Sequence, residues 1–258
     1  MLNKKKIIIA LATAGLLTAG AAQAALVDRG GGMLYDDVLN ITWLQDANYA
    51  KTSGYDADGL MNWSGAKAWA DSLVYGGYSD WRLASNSAVA GEGPWDYNVS
   101  FDGTTDLGWN IYSQKSEMSY MYYVNLELKA LVNADGSIRT DWGIFRNGTM
   151  NGINGINGNW DLSSFAQADI KPVKNLQAHI YWSGTSLSDE DAFSFEAFYG
   201  TQYQGIKDQS EFYAWAVRSG DVAAVQQQSV PEPMSLALVG LGLAGVLLAR
   251  RSRNLSAS

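Results

Sequence analysis

Two stretches of the 258-residue chain lack any alternation of polar and apolar positions. Ile7 to Ala22 holds apolar and small residues behind Lys4, Lys5 and Lys6, and Met234 to Ala249 is an unbroken apolar run with Ser235 as its polar exception, followed by Arg250, Arg251 and Arg253. Between them the pattern is that of a folded body. Leu26 to Asp37 and Asn40 to Leu44 alternate aromatic and branched residues with polar ones, which predicts two brief strands in a hairpin around Asp36-Asp37-Val38. From Asn62, a helix-capping residue type, Trp63, Ala66, Trp69, Ala70 and Leu73 recur at helical spacing until Gly76-Gly77. Ser116 is expected to cap a second helix with Met118, Met121, Tyr122 and Leu126 facing inward. Ala84 to Asn110 reads as loop, and so does the Asn-Gly-rich stretch 147–159. In the last third Ile180 to Gly184 reads as a strand, Phe193, Phe195, Ala197 and Tyr199 alternate, and Tyr213, Trp215 and Val217 repeat the pattern. Helices early and antiparallel strands late predict one α+β domain with about two helices.

The two apolar runs are addresses. Ala22-Gln23-Ala24 offers the small-x-small site that a signal peptidase cuts, so residues 1–24 are read as a signal peptide, cleaved before Ala25. The run 234–249, as a helix, would cover ~24 Å, enough to cross a thin bilayer, and the arginines behind it are expected to stay cytoplasmic. Pro231-Glu232-Pro233, the apolar helix and Arg250-Arg251, in that order at the end of the chain, resemble a PEP-CTERM sorting signal. The resemblance implies a tail over 229–254 that an exosortase processes. It also implies a membrane-anchored precursor that ends at the cell surface or in the extracellular matrix of a Gram-negative-type bacterium. The body is then 25–228.

Without these ends the body keeps 12 basic against 25 acidic residues, a formal charge of −13. Such a surface repels nucleic acid and anionic lipid and favours solubility. With no cysteine in an exported chain, no disulfide framework is available, so stability must come from the core, to which ten tryptophans between Trp43 and Trp215 contribute.

Within the body, five segments resemble the C-terminal domain family of collagen-like adhesins. They are Ile41-Thr42-Trp43-Leu44; Trp63 with Ala66 and Trp69; Gly77-Tyr78-Ser79-Asp80-Trp81-Arg82-Leu83; Tyr181-Trp182-Ser183-Gly184-Thr185; and Ala214-Trp215-Ala216-Val217-Arg218. The resemblance implies a C-type-lectin-like fold and a role in adhesion or biofilm. Ala84 stands where the family carries Pro, and the negative body argues against acidic glycans as ligands.

Chemistry for catalysis is sparse. His179 is the sole histidine and sits at a strand start without a nucleophile motif, which favours a structural role. One histidine and no cysteine exclude zinc sites of the usual kind. Asp36-Asp37, Asp56-x-Asp58-Gly59 and Asp189-Glu190-Asp191 read as solvated turns. The second could serve a loose calcium site but lacks the rest of an EF-hand, so neither a metal site nor a cofactor is assigned. Trp95, Trp109, Trp142 and Trp160 lie in Gly- and Asn-rich surroundings where an indole could stack on a sugar, and they are the candidate glycan-binding residues. The resulting expectation is a non-enzymatic adhesion module for neutral polysaccharide, whose other partners are signal peptidase, exosortase and the membrane, and not nucleic acid. A glycan hydrolase with paired carboxylates and a purely structural matrix protein are the alternatives.

Overall fold

A computed structural model describes residues 26–91, 93–149 and 166–222. The expected signal helix, its cleavage residues Ala22, Ala24 and Ala25, Trp160, and the sorting residues Pro231, Glu232, Pro233, Arg250 and Arg251 lie outside the described residues. So does the apolar run 234–249. Among the described residues no helix is long and apolar enough to cross a membrane.

The body is mostly sheet with few helices. Strands β1 (Leu26–Asp28), β2 (Met33–Asp36), β3 (Ile41–Leu44) and β4 (Arg82–Leu83) join β12 (Ala216–Ser219) in one sheet of order β1-β2-β3-β12-β4. A second sheet has the order β5-β6-β11-β10-β9. It uses β5 (Val99–Ser100), β6 (Leu107–Trp109), β9 (Ile180–Ser186), β10 (Asp191–Glu196) and β11 (Thr201–Ile206). β7 (Gln167–Ile170) and β8 (Val173–Gln177) form a separate hairpin.

Several elements differ from the sequence expectation. The first expected strand is cut in two because Gly30, Gly31 and Gly32 all take positive φ, which glycine adopts at no steric cost. The 84–110 loop contains β5 and β6, which pair in parallel, so the sheets are not purely antiparallel. Helices are α1 (Tyr49–Thr52), α2 (Trp63–Ser72) and α3 (Glu117–Tyr120), the last running into a π-helical turn over Met121–Asn125. α2 starts as its pattern predicts, with the Asn62 side chain accepting from the Gly65 amide, but it stops at Ser72, before Gly76. The Ser116 cap on α3 forms as well, and Met118, Met121, Tyr122 and Leu126 are buried.

The Asp-Trp-Arg-Leu and Tyr-Trp-Ser-Gly-Thr segments are scaffold. Asp80 receives both Nε and Nη2 of Arg218, at 2.8 and 3.0 Å, and that guanidinium lies 4.0 Å from the centre of the Tyr78 ring. The arrangement holds the Asp80 carboxyl below its ordinary value. Arg82 grips Glu117 through two bonds of 2.7 and 2.8 Å, and Glu117 also accepts from the Ser85 amide. Ser183 donates to the Ala84 carbonyl, and Thr185 exchanges hydrogen bonds with the Asn86 backbone, so β9 pins the start of the 84–110 segment. The buried Gln202 amide holds it further along: its oxygen accepts from Asn86, Ser116 and Ser119, and its nitrogen donates to the Asp106 carbonyl. These bonds turn a Gly- and Asn-rich segment into ordered structure.

At Gly205 the second sheet meets two aromatic rings. A Cβ there would come within 2.5 Å of Phe212 and 2.7 Å of Trp182. Gly205→Ala is therefore expected to cost about 1–3 kcal/mol through overpacking, read as a lower melting temperature of the full-length protein. A variant melting with the parent would show that the rings give way freely.

Candidate functional site

The aromatic residues gather around β6. Trp109, at its end, is half-buried on the main core, and Phe101 lies against it with ring centres 5.3 Å apart and planes 34° apart. Phe101 is 45% exposed. Tyr112, 57% exposed, stacks on Tyr123 at 5.0 Å with a similar tilt. Asn110 ties the two pairs together. It takes φ of 58°, a left-handed conformation that Asn tolerates better than most residues. Its side-chain nitrogen donates to the carbonyls of Phe101 and Val132, at 2.7 and 3.0 Å, and its amide donates to the Tyr123 hydroxyl at 2.9 Å. Asn110 thus holds two tilted aromatic pairs with exposed rings, Phe101 on Trp109 and Tyr112 on Tyr123, and these pairs together are the shelf. Asp102 borders it, its carboxyl held below the usual range first by the Thr104 hydroxyl and then by the Thr104 amide.

The other candidate tryptophans are placed differently. Trp95 is half-buried in a satellite cluster with Leu107, Leu187 and Phe193, edge-on to Phe193 at 4.8 Å. Trp142 is a correction: it is 3% exposed and packs edge-on against Tyr199, so it offers no open face to a sugar. A loop-like sequence context did not imply exposure here, because residues around 130–149 fold back onto the turn after β10, with Leu131 N–H bonded to the Tyr199 carbonyl. Phe101 and Tyr112 were missed as candidates because the sequence pattern gives no pairing of Phe101 with Trp109 or of Tyr112 with Tyr123.

The carboxylate clusters are used locally. Asp36 is buried and accepts from the Val38 and Leu39 amides and from the Asn125 side chain. Burial nevertheless leaves its carboxyl above the ordinary value. Asp56 caps its own turn by accepting from the Asp58 and Gly59 amides. Asp191 accepts from Ser188 in the turn between β9 and β10. Among the described residues no three His, Cys, Asp or Glu side chains gather to hold a metal ion. His179 lies edge-on to Tyr213, and burial pushes its imidazole below the usual value.

Glu196, at the end of β10, is the titratable group that stands apart. Burial alone pushes its carboxyl up to about 7, and the Tyr199 hydroxyl is raised to about 12, first by burial and then by the Glu196 charge. A carboxyl that exchanges its proton near neutrality can donate or accept a hydrogen bond.

Comparison with curated proteins gave no match, and comparison with solved structures gave none. Residues 229–253 match the family model of the PEP-CTERM protein-sorting motif. The match lies outside the body, so the adhesin and lectin resemblance of residues 25–228 gains no support from it. The chain thus carries a PEP-CTERM sorting motif, which implies an exported, membrane-anchored precursor that an exosortase sorts to the cell surface.

Proposed function

We propose that the sorted protein is a matrix or adhesion module that binds neutral polysaccharide without cleaving it. The observation that carries this reading is the shelf of Phe101, Trp109 and Tyr112, in which rings are held partly open to solvent by an asparagine hub. Aromatic faces stack on the apolar faces of sugar rings, whereas an exposed ring with no ligand gains nothing from its exposure. The fixed carboxylate of Asp102 and the body's −13 charge select against acidic glycans.

Full-length protein in detergent is expected to be retained on immobilised neutral exopolysaccharide and to pass through sulfated glycan. Phe101→Ala and Trp109→Ala should each weaken retention about tenfold or more, a loss comparable to one stacked ring. Tyr112→Ala should act less. A folded parent passing through every neutral column would sink the reading and leave a structural matrix role. A second reading, glycan hydrolysis, draws on Glu196, whose raised value suits a general acid. Release of reducing sugar from the column, abolished by Glu196→Gln, would favour it.

A further inference from the structure

Three polar groups stand in register across the second sheet. Trp109 on β6 is paired with Thr201 on β11, and Thr201 with Glu196 on β10. Directly opposed residues share a sheet face and adjacent strands lie ~4.8 Å apart, so the three side chains make one row about 10 Å long. Among the described residues the Trp109 indole N–H is buried without a hydrogen-bond partner. The Thr201 hydroxyl is too, on a residue only 4% exposed. Among the described residues, burial is the influence that acts on the Glu196 carboxyl.

Elsewhere such groups are met only in part: Asn48, Ser100, Asn125 and Arg218 each keep one buried side-chain atom without a partner among the described residues, on no shared strand row. The indoles of Trp63, Trp81, Trp182 and Trp215 each donate to a backbone carbonyl, and the buried Ser119 and Ser183 hydroxyls donate as well. Trp43, sealed in the core of the first sheet, is a further unpartnered indole. A buried donor or acceptor left unpaired keeps its full desolvation cost, so two in one row beside a desolvated carboxyl call for an external partner.

The chemistry of the row defines that partner. The indole donates, the hydroxyl both donates and accepts, and the carboxyl does either according to its proton. Among the described residues no cation acts on the Glu196 carboxyl. Thr201 and Ile180, which oppose Glu196 on β11 and β9, are not titratable, and Tyr199 in the following turn is the ionisable neighbour that feels its charge. Adjacent sugar hydroxyls present this mixture of donors and acceptors, and Trp109 belongs both to the row and to the aromatic shelf. We propose that Trp109, Thr201 and Glu196 form the hydroxyl-reading part of the neutral-saccharide site, an assignment that rests on the binding function proposed above.

The test measures binding of glucan, mannan and galactan oligosaccharides to the full-length protein by calorimetry at pH 5.5 and 8.5. Thr201→Val should weaken binding of the preferred oligosaccharide about tenfold at both pH values. It should melt at or above the parent temperature, since it deletes an unpaired hydroxyl without changing shape. Parent binding should weaken several-fold at the higher pH, and Glu196→Gln should bind equally at both. If Phe101→Ala abolishes binding while Thr201→Val and Glu196→Gln bind like the parent, the row holds ordered water only; the inference falls and the shelf stands. If the folded parent binds none of the three oligosaccharides, both fall.

Discussion

Trp182→Ala is expected to lower the stability of the protein by about 3–5 kcal/mol, a third or more of what a domain of this size has. Trp182 is fully buried, its indole N–H donates to the Met61 carbonyl at 2.8 Å, and its ring centre lies 4.4 Å from that of Phe212. Met61 and Phe212 in turn exchange backbone hydrogen bonds. Truncation therefore leaves a cavity beside Gly205, removes one face of Phe212 and leaves the Met61 carbonyl without its indole donor. Trp182→Phe keeps much of the apolar contact and loses the donor, so it should cost less, about 1–3 kcal/mol. Denaturant midpoints of the two variants in full-length protein check both values. An alanine variant that unfolds with the parent would mean that this side of the second sheet is not packed as described.

Raising the pH from 4.5 to 7 is expected to destabilise the parent relative to Glu196→Gln by up to about 3 kcal/mol. The sign follows from proton binding. Burial raises the Glu196 carboxyl from 4.5 to about 7, so across this interval the unfolded chain has released its proton while the folded chain still holds it. The favourable contribution is complete below 4.5, declines as pH rises through 7, and is then absent. Asp36, also raised, slopes the same way, while the lowered carboxyls of Asp80 and Asp141 slope oppositely. Comparison with Glu196→Gln at each pH isolates the one group. Equal dependence on pH in both proteins would show that solvent reaches the carboxyl in the folded state.

Local periodicity carried α2, the buried face of α3 and the strand around Phe193 and Phe195, because neighbouring side chains on one face are enough to specify those elements; the single turn of α1 is too short to show a period. Periodicity could not carry β5 and β6, which are two and three residues long and owe their form to pairing with each other and with β11, far along the chain. The exposure of the tryptophans failed for the same reason. Trp109 and Trp142 have similar polar surroundings in sequence, and only tertiary contacts leave one beside a shelf and bury the other against Tyr199. The Trp109–Thr201–Glu196 row joins residues from three strands whose order in the sheet is not their order in the chain. The sorting signal was fully legible, since its recognition depends on order along the chain and not on packing.

The first sheet also settles how a tethered body would bear load. Arg29, just after β1, holds Asp221, just after β12, through bonds of 3.0 and 2.6 Å, so the entry and exit of the body are clamped together. β12 lies inside the sheet, bonded to β3 on one side and β4 on the other. A pull on the C-terminal side along the strand axis loads both ladders in shear, many hydrogen bonds at once, instead of peeling them singly from an edge. Shelf and row lie on the second sheet, so tension between an anchored tail and a bound polymer would be shared between the 207–215 connection from β11 to β12 and the tryptophan-rich core that joins the sheets.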